Sequence, residues 1–197
     1  VSVAEHTPGT VQTLPFAENF ETGLGNWLNG GWAAAGNAYE GNSAAEAFPS
    51  RWTPRYRESH MVLARELNLS GTTAPQITFR ARLSQGNSDH VNVYLRISRP
   101  DGPVWRNQDF RIENSTEWKR HQFAIPEDFR TDNVRLSIYA YTSYYEVEAK
   151  LQVDKLAVEN SQPAVTLASP VPSLKSMALS WSAYAGTNFK CYEIYRR

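Results

Sequence analysis

The run Gln76-Ile77-Thr78-Phe79-Arg80-Ala81-Arg82-Leu83 decides the fold class. Ile77, Phe79, Ala81 and Leu83 alternate with Thr78, Arg80 and Arg82. A period of two sends one set to one face of a strand and the second set to the other. The same period recurs downstream. Val91, Val93, Leu95 and Ile97 alternate with Asn92, Tyr94 and Arg96, and His121, Phe123 and Ile125 with Arg120 and Gln122. Val134, Leu136, Ile138 and Ala140 alternate with Arg135, Ser137, Tyr139 and Tyr141. Val147, Ala149, Leu151 and Val153 alternate with Glu146, Glu148, Lys150 and Gln152. Turn-forming clusters at 85–89, 100–103 and 126–128 separate these runs. Half-buried strands at this spacing, with no helical period between them, predict an all-β chain built as an antiparallel sandwich.

Upstream the pattern fades. Residues 1–13 lack periodicity and read as a leader or linker, with structure expected from Leu14. Gly, Asn and Ala crowd residues 23–47 around Trp27 and Trp32, which predicts long irregular loops, with a helix near Ala44 as the alternative. The chain starts at Val1 without Met, the expectation for a processed product or a piece of something longer.

Composition narrows the function classes. Twenty Lys plus Arg balance twenty Asp plus Glu over 197 residues, so there is no net field of the kind that draws a protein to nucleic acid. Six Trp, ten Tyr and eight Phe are too many for a disordered chain. No apolar run approaches the roughly 18 residues of a membrane helix. A single cysteine, Cys191, excludes an internal disulfide framework and a Cys-rich zinc site. A reducing compartment explains that scarcity, and so does an exported protein that avoids cysteine.

The segment Phe16-Ala17-Glu18-Asn19-Phe20-Glu21-Thr22-Gly23-Leu24-Gly25-Asn26-Trp27 resembles the opening motif of jelly-roll modules in secreted bacterial proteins. Leu67-Asn68-Leu69-Ser70 and the closing run Val153-Asp154-Lys155-Leu156-Ala157-Val158 continue the likeness over residues 14–160. Jelly-roll carbohydrate-binding modules, MAM-like domains and cleaved-adhesin modules share this frame, which specifies a fold far better than a ligand. The resemblance implies an extracellular or cell-surface location. It also implies a structural calcium where first and last strands meet, with Glu21 and Asp154 as side-chain ligands and loop carbonyls completing an oxygen shell. Where the family has a second closing Asp, this chain has Lys155.

After a linker at 159–163, residues 163–197 resemble the opening three strands of a fibronectin type III domain, carried by Trp181 and the run Tyr192-Glu193-Ile194-Tyr195-Arg196. Such a sandwich needs seven strands, so the natural polypeptide is expected to continue.

Catalytic chemistry finds little support. There is no G-x-S-x-G elbow, Cys191 lies in an apolar strand context, and His6, His60, His90 and His121 lack metal-ligand spacing. His121 shares the apolar phase of its strand and reads as a core histidine. Glu146 and Glu148 project the same way from one strand, with no sign of the opposed second carboxylate that a glycosidase requires. The polar strand faces are more informative. If every apolar set turns inward, Arg80, Arg82, Tyr94, Arg96, Arg135, Tyr139 and Tyr141 form an outward set suited to sugar rings and anionic substituents. The alternative is a cross-strand ladder in which these Arg pair with Glu146, Glu148 and Asp89. Trp27, Trp32, Trp52, Tyr56 and Trp105 form a loop aromatic set in which Trp27 reads as core, while Trp32, Trp52 and Tyr56 suit either ligand stacking or loop tethering. Two functions fit: a non-catalytic polysaccharide-binding or adhesive module, or a structural spacer contacting neighbouring domains of its own chain.

Overall fold

The computed structural model describes residues 11–47, 57–84, 91–142, 149–161, 171–172 and 177–178. The chain divides into two units, Val1–Asn160 and Ser161–Arg197. In the first, the strands are β1 (Phe16–Glu18), β2 (Trp27–Gly30), β3 (Trp32–Ala35), β4 (Ala44–Ala47), β5 (Arg57–Leu63) and β6 (Pro75–Ser84). They continue with β7 (Val91–Asp101), β8 (Val104–Ile112), β9 (Lys119–Ala124), β10 (Arg135–Thr142) and β11 (Lys150–Asn160). In the second unit β12 (Val171–Pro172) pairs antiparallel with β13 (Met177–Ala178). The rest of the fibronectin-like stretch, with Trp181 and Cys191, lies outside the described residues.

Two antiparallel sheets face each other in the first unit, as the alternation predicts. One runs β3-β4-β11-β6-β9, with β1 also on β11, and the other runs β2-β5-β10-β7-β8. The apolar phases interdigitate between them. Ile77, Phe79, Ala81 and Leu83 of β6 oppose Val93, Leu95 and Ile97 of β7 and Leu136 and Ile138 of β10 in one buried cluster.

The closing strand holds the six-stranded sheet together. β11 pairs with β6 along one edge, and with β4 (151–153) and β1 (156–158) along the other. A bulge between Asp154 and Ala157, with Lys155 at φ 52°, places two residues of β11 opposite one of β6. That extra residue switches parity. Leu151 and Val153 face the core before it, and Leu156 and Val158 after it.

Residues 23–47 depart from expectation. They form three short strands rather than irregular loops, and Ala44–Ala47 is a fully buried strand rather than a helix. Their alanines are buried in β4 and exposed at Ala33 and Ala34 of β3, and they carry no alternation to read. The chain changes sheets between Gly30 and Trp32 through Gly31, at φ +82°, where a Cβ would meet Ser59 Oγ at 3.2 Å. That corner turns Trp32 inward. It is 6% exposed and part of the core, which corrects its reading as a ligand-stacking loop residue.

His121 is the core histidine that its phase predicts, stacked on Phe79 with ring centroids 5.2 Å apart. Burial holds its pKa below the ordinary histidine value of 6.5. The unfolded chain therefore takes up this proton first as pH falls, so stability is present above pH 6.5 and drains below it. His121→Phe should flatten the fall in melting temperature between about pH 6.5 and 5. An unchanged slope in the variant would remove His121 as its source.

No helix among the described residues is long and apolar enough to cross a membrane.

Candidate functional site

The outer face of the five-stranded sheet carries an aromatic cluster. Tyr94 on β7 lies opposite Tyr139 on β10, and Tyr141 follows two residues along the same face. The three rings are nearly parallel. Tyr94–Tyr139 centroids are 5.3 Å apart at 18°, and Tyr94–Tyr141 6.1 Å apart at 6°. His60, opposite Tyr139 on β5, meets it edge-on at 5.9 Å.

A charged pair fixes Tyr139 from the other side. Arg96 donates to both Asp109 oxygens at 2.6 and 2.8 Å, and its guanidinium lies 4.7 Å from the Tyr139 centroid. Arg96 also donates to the Tyr139 hydroxyl, which in turn donates to Asp109 Oδ2 at 3.0 Å. Burial and the adjoining carboxylate push the Tyr139 pKa up to about 12, while the Arg96 hydrogen bonds hold Asp109 below the usual carboxylate range. The phenol therefore stays protonated, with its hydroxyl hydrogen-bonded on both sides. Tyr94 and Tyr141 are half-buried, and burial together with a mutual hydroxyl contact raises the Tyr141 pKa. Arg111 on β8 stands opposite Tyr94, exposed, with no ion pair or hydrogen bond among the described residues.

Farther along the same face, Arg135 lies 3.8 Å from the Trp105 ring centroid and donates to Glu66 Oε1 at 3.1 Å. Trp105 keeps 38% exposure. Ser98 and Ser137 lie on this face between the Trp105 and Tyr139 ends. Five of the seven outward residues thus share one surface: Tyr94, Arg96, Arg135, Tyr139 and Tyr141.

Arg80 and Arg82 do not join them. They project from β6 on the outer face of the other sheet, which corrects the single platform. Alternation separates inside from outside, but it does not say to which sheet a strand belongs. The expected ladder partners Glu146, Glu148 and Asp89, together with Trp52 and Tyr56, lie outside the described residues. Asp109 and Arg111 escaped sequence reading because β8 is an edge strand, polar or exposed in both phases until Phe110 and Ile112.

Glu21 and Asp154 both clasp the loop 36–43. Glu21 Oε1 accepts from the backbone N–H of Asn42 at 2.9 Å and of Ser43 at 3.0 Å, which lowers its pKa. It approaches Gly41, at φ +80°, so closely that a Cβ there would push the carboxylate off its N–H donors. Asp154, fully buried, accepts from Tyr39 N at 2.9 Å, Glu40 N at 3.1 Å and Lys155 N at 2.7 Å. The Lys155 ammonium donates to Glu40 at 2.7 Å, and its charge acts on both Glu21 and Asp154. A calcium shell needs converging oxygens, whereas N–H donors and an ammonium converge here. These residues do not fit the cation that the family resemblance implies. Among the described residues no three His, Cys, Asp or Glu gather as a metal site.

No family model matches the sequence, and no curated protein does. Solved structures match in fold. The C-terminal family 22 carbohydrate-binding module of a Clostridium thermocellum protein shares 13% identity at a TM-score of 0.54, covering 78% of this chain and 96% of that one. A family 61 carbohydrate-binding module solved with β-1,4-galactotriose shares 14% at 0.51, covering 73% and 94%. A xylan-binding family 22 module from Paenibacillus barcinonensis shares 17% at 0.50, covering 74% and 99%. The class is therefore an all-β jelly-roll sandwich whose structural neighbours are carbohydrate-binding modules. At these identities the likeness is one of fold.

Proposed function

We propose that the jelly-roll unit is a non-catalytic carbohydrate-binding module of an exported protein, holding a glycan on the outer face of its five-stranded sheet. The observation that carries this reading is the parallel set Tyr94, Tyr139 and Tyr141 beside the unpaired Arg111. Half-buried phenol rings offer apolar area to the C–H face of a sugar, and their hydroxyls offer hydrogen bonds at its rim. Tyr139, locked by Arg96, Asp109 and His60, is the foundation, while Tyr94 and Tyr141 make the contact. From Arg111 to Trp105 the face runs about 20 Å at the rise of a β-strand, room for an oligosaccharide. Carbohydrate-binding modules among the fold neighbours support the class of ligand.

Affinity electrophoresis in gels containing xylan, β-1,4-galactan or other neutral polysaccharides tests this. The intact chain should be retarded by at least one of them. Tyr141→Ala or Tyr94→Ala should weaken binding about tenfold, or roughly 1.4 kcal/mol, with the melting temperature nearly kept. Retardation by none of the polysaccharides, or by all variants alike, would leave the spacer role as the better account.

A further inference from the structure

We propose a second saccharide site, on the outer face of the six-stranded sheet, for a glycan bearing sulfate or carboxylate groups. It is centred on Arg80, Arg82 and Arg120 with the rings of Tyr39 and Trp118, and it is independent of the tyrosine face.

The argument begins with a like-charge contact. Arg80 on β6 and Arg120 on β9 are direct cross-strand neighbours on the outer face. Side chains so placed have Cβ atoms roughly 5 Å apart, and equal charges there destabilise a sheet. Neither guanidinium has a carboxylate partner among the described residues. Arg120 donates to the neutral Gln122 at 2.7 Å, and Arg80 lies 4.5 Å from the Tyr39 ring centroid. Arg82 adds a third positive charge, held by the neutral acceptors Gln152 Oε1 at 2.7 Å and Asn37 O at 3.0 Å.

Neighbouring acids are committed elsewhere. Asp154, opposite Arg80 on the other flank, spends its oxygens on three backbone N–H groups. Glu40 holds Lys155, Glu46 holds Lys150 and Gln152, and Glu113 holds Lys119. Three guanidiniums thus share one face with no ion pair among the described residues, and the one carboxylate opposite Arg80 is engaged by backbone N–H groups. An anion is the missing partner. A guanidinium presents its donors as a planar fork that matches carboxylate or sulfate oxygens in pairs.

The aromatic frame points to a sugar as the carrier of that anion. Arg82 lies 4.8 Å from the Trp118 ring, and Tyr39 meets Trp118 edge-on at 6.1 Å, so cations and rings alternate. Tyr39 remains 43% exposed, leaving ring surface for a pyranose beside the fork. Asp154 sets this geometry through the N–H groups of Tyr39 and Glu40. Nucleic acid fits less well, because a compact trio of charges on a neutral protein lacks the extended basic track that a phosphate backbone rewards.

The test passes the intact chain over immobilised dextran sulfate, polygalacturonate, neutral dextran and double-stranded DNA. Retention on dextran sulfate or on polygalacturonate, with release at raised salt, is expected, and which of the two binds identifies the anion. Arg120→Gln, at an exposed edge-strand position, should weaken that binding at least fivefold without lowering the melting temperature. Arg80→Gln with Arg120→Gln should abolish it, while Tyr141→Ala should leave it unchanged. Retention on neither polyanion, equal retention on DNA, or a double variant that binds like the parent would overturn the proposal.

Discussion

Asp154→Ala should lower the melting temperature by about 6–12 °C, corresponding to roughly 3 kcal/mol at 2–4 °C per kcal/mol for a chain of this size. The residue is fully buried, and its oxygens satisfy the N–H groups of Tyr39, Glu40 and Lys155. Alanine removes the acceptors and leaves three partly buried N–H donors without their partner. Asn at the same position keeps one acceptor oxygen and should lose less. The drop should be equal in calcium and in chelator, because Lys155 already supplies the positive charge beside Glu40. A parent protein that melts higher in calcium, with the difference gone in Asp154→Ala, would overturn this reading of the loop. The loop also carries Tyr39, so Asp154→Ala should weaken retention on the polyanion columns without touching the tyrosine face.

The second large effect lies in the core. Phe79 sits mid-strand on β6, which is hydrogen-bonded on both sides, and its ring is 1% exposed between His121 and Phe123. Truncation to Ala leaves a cavity between those rings and should cost about 3–5 kcal/mol, or roughly 6–20 °C. Phe79→Leu retains most of the volume and should cost less than half as much. Equal losses for Ala and Leu would mean that ring stacking, rather than filled volume, supplies the stability.

Much of this fold was legible because the middle strands bury one face each. β6, β7, β9, β10 and the start of β11 announce themselves by period two, and their inward residues form the core. Even the bulge left a trace: the apolar parity changes between Val153 and Leu156. Where both faces are covered the signal vanishes, as in the buried Ala44–Ala47, and Trp32 is the single large apolar residue of its short strand beside Gly31, so both read as loop. The candidate site was legible residue by residue but not as a surface. Tyr94 and Tyr139 meet through the β7–β10 register, and Arg80 departs through the β6–β11 register. Those are long-range pairings that no local window contains. The third readable quantity, charge, failed at Arg96, whose partner Asp109 stands on a strand without alternation.

The position of β11 has a consequence for synthesis. The strand made last in the sandwich is internal to its sheet, joining β6 to β4 and to β1, so residues 16–18 wait for 156–158. A ribosome releasing this chain exposes the open edges of β6 and β4 until Asn160 has cleared the exit tunnel. Among the described residues β11 is the strand that β1 pairs with. Closing the sheet thus depends on pairings of high contact order, the kind that leave strand edges open to edge-to-edge association until they form.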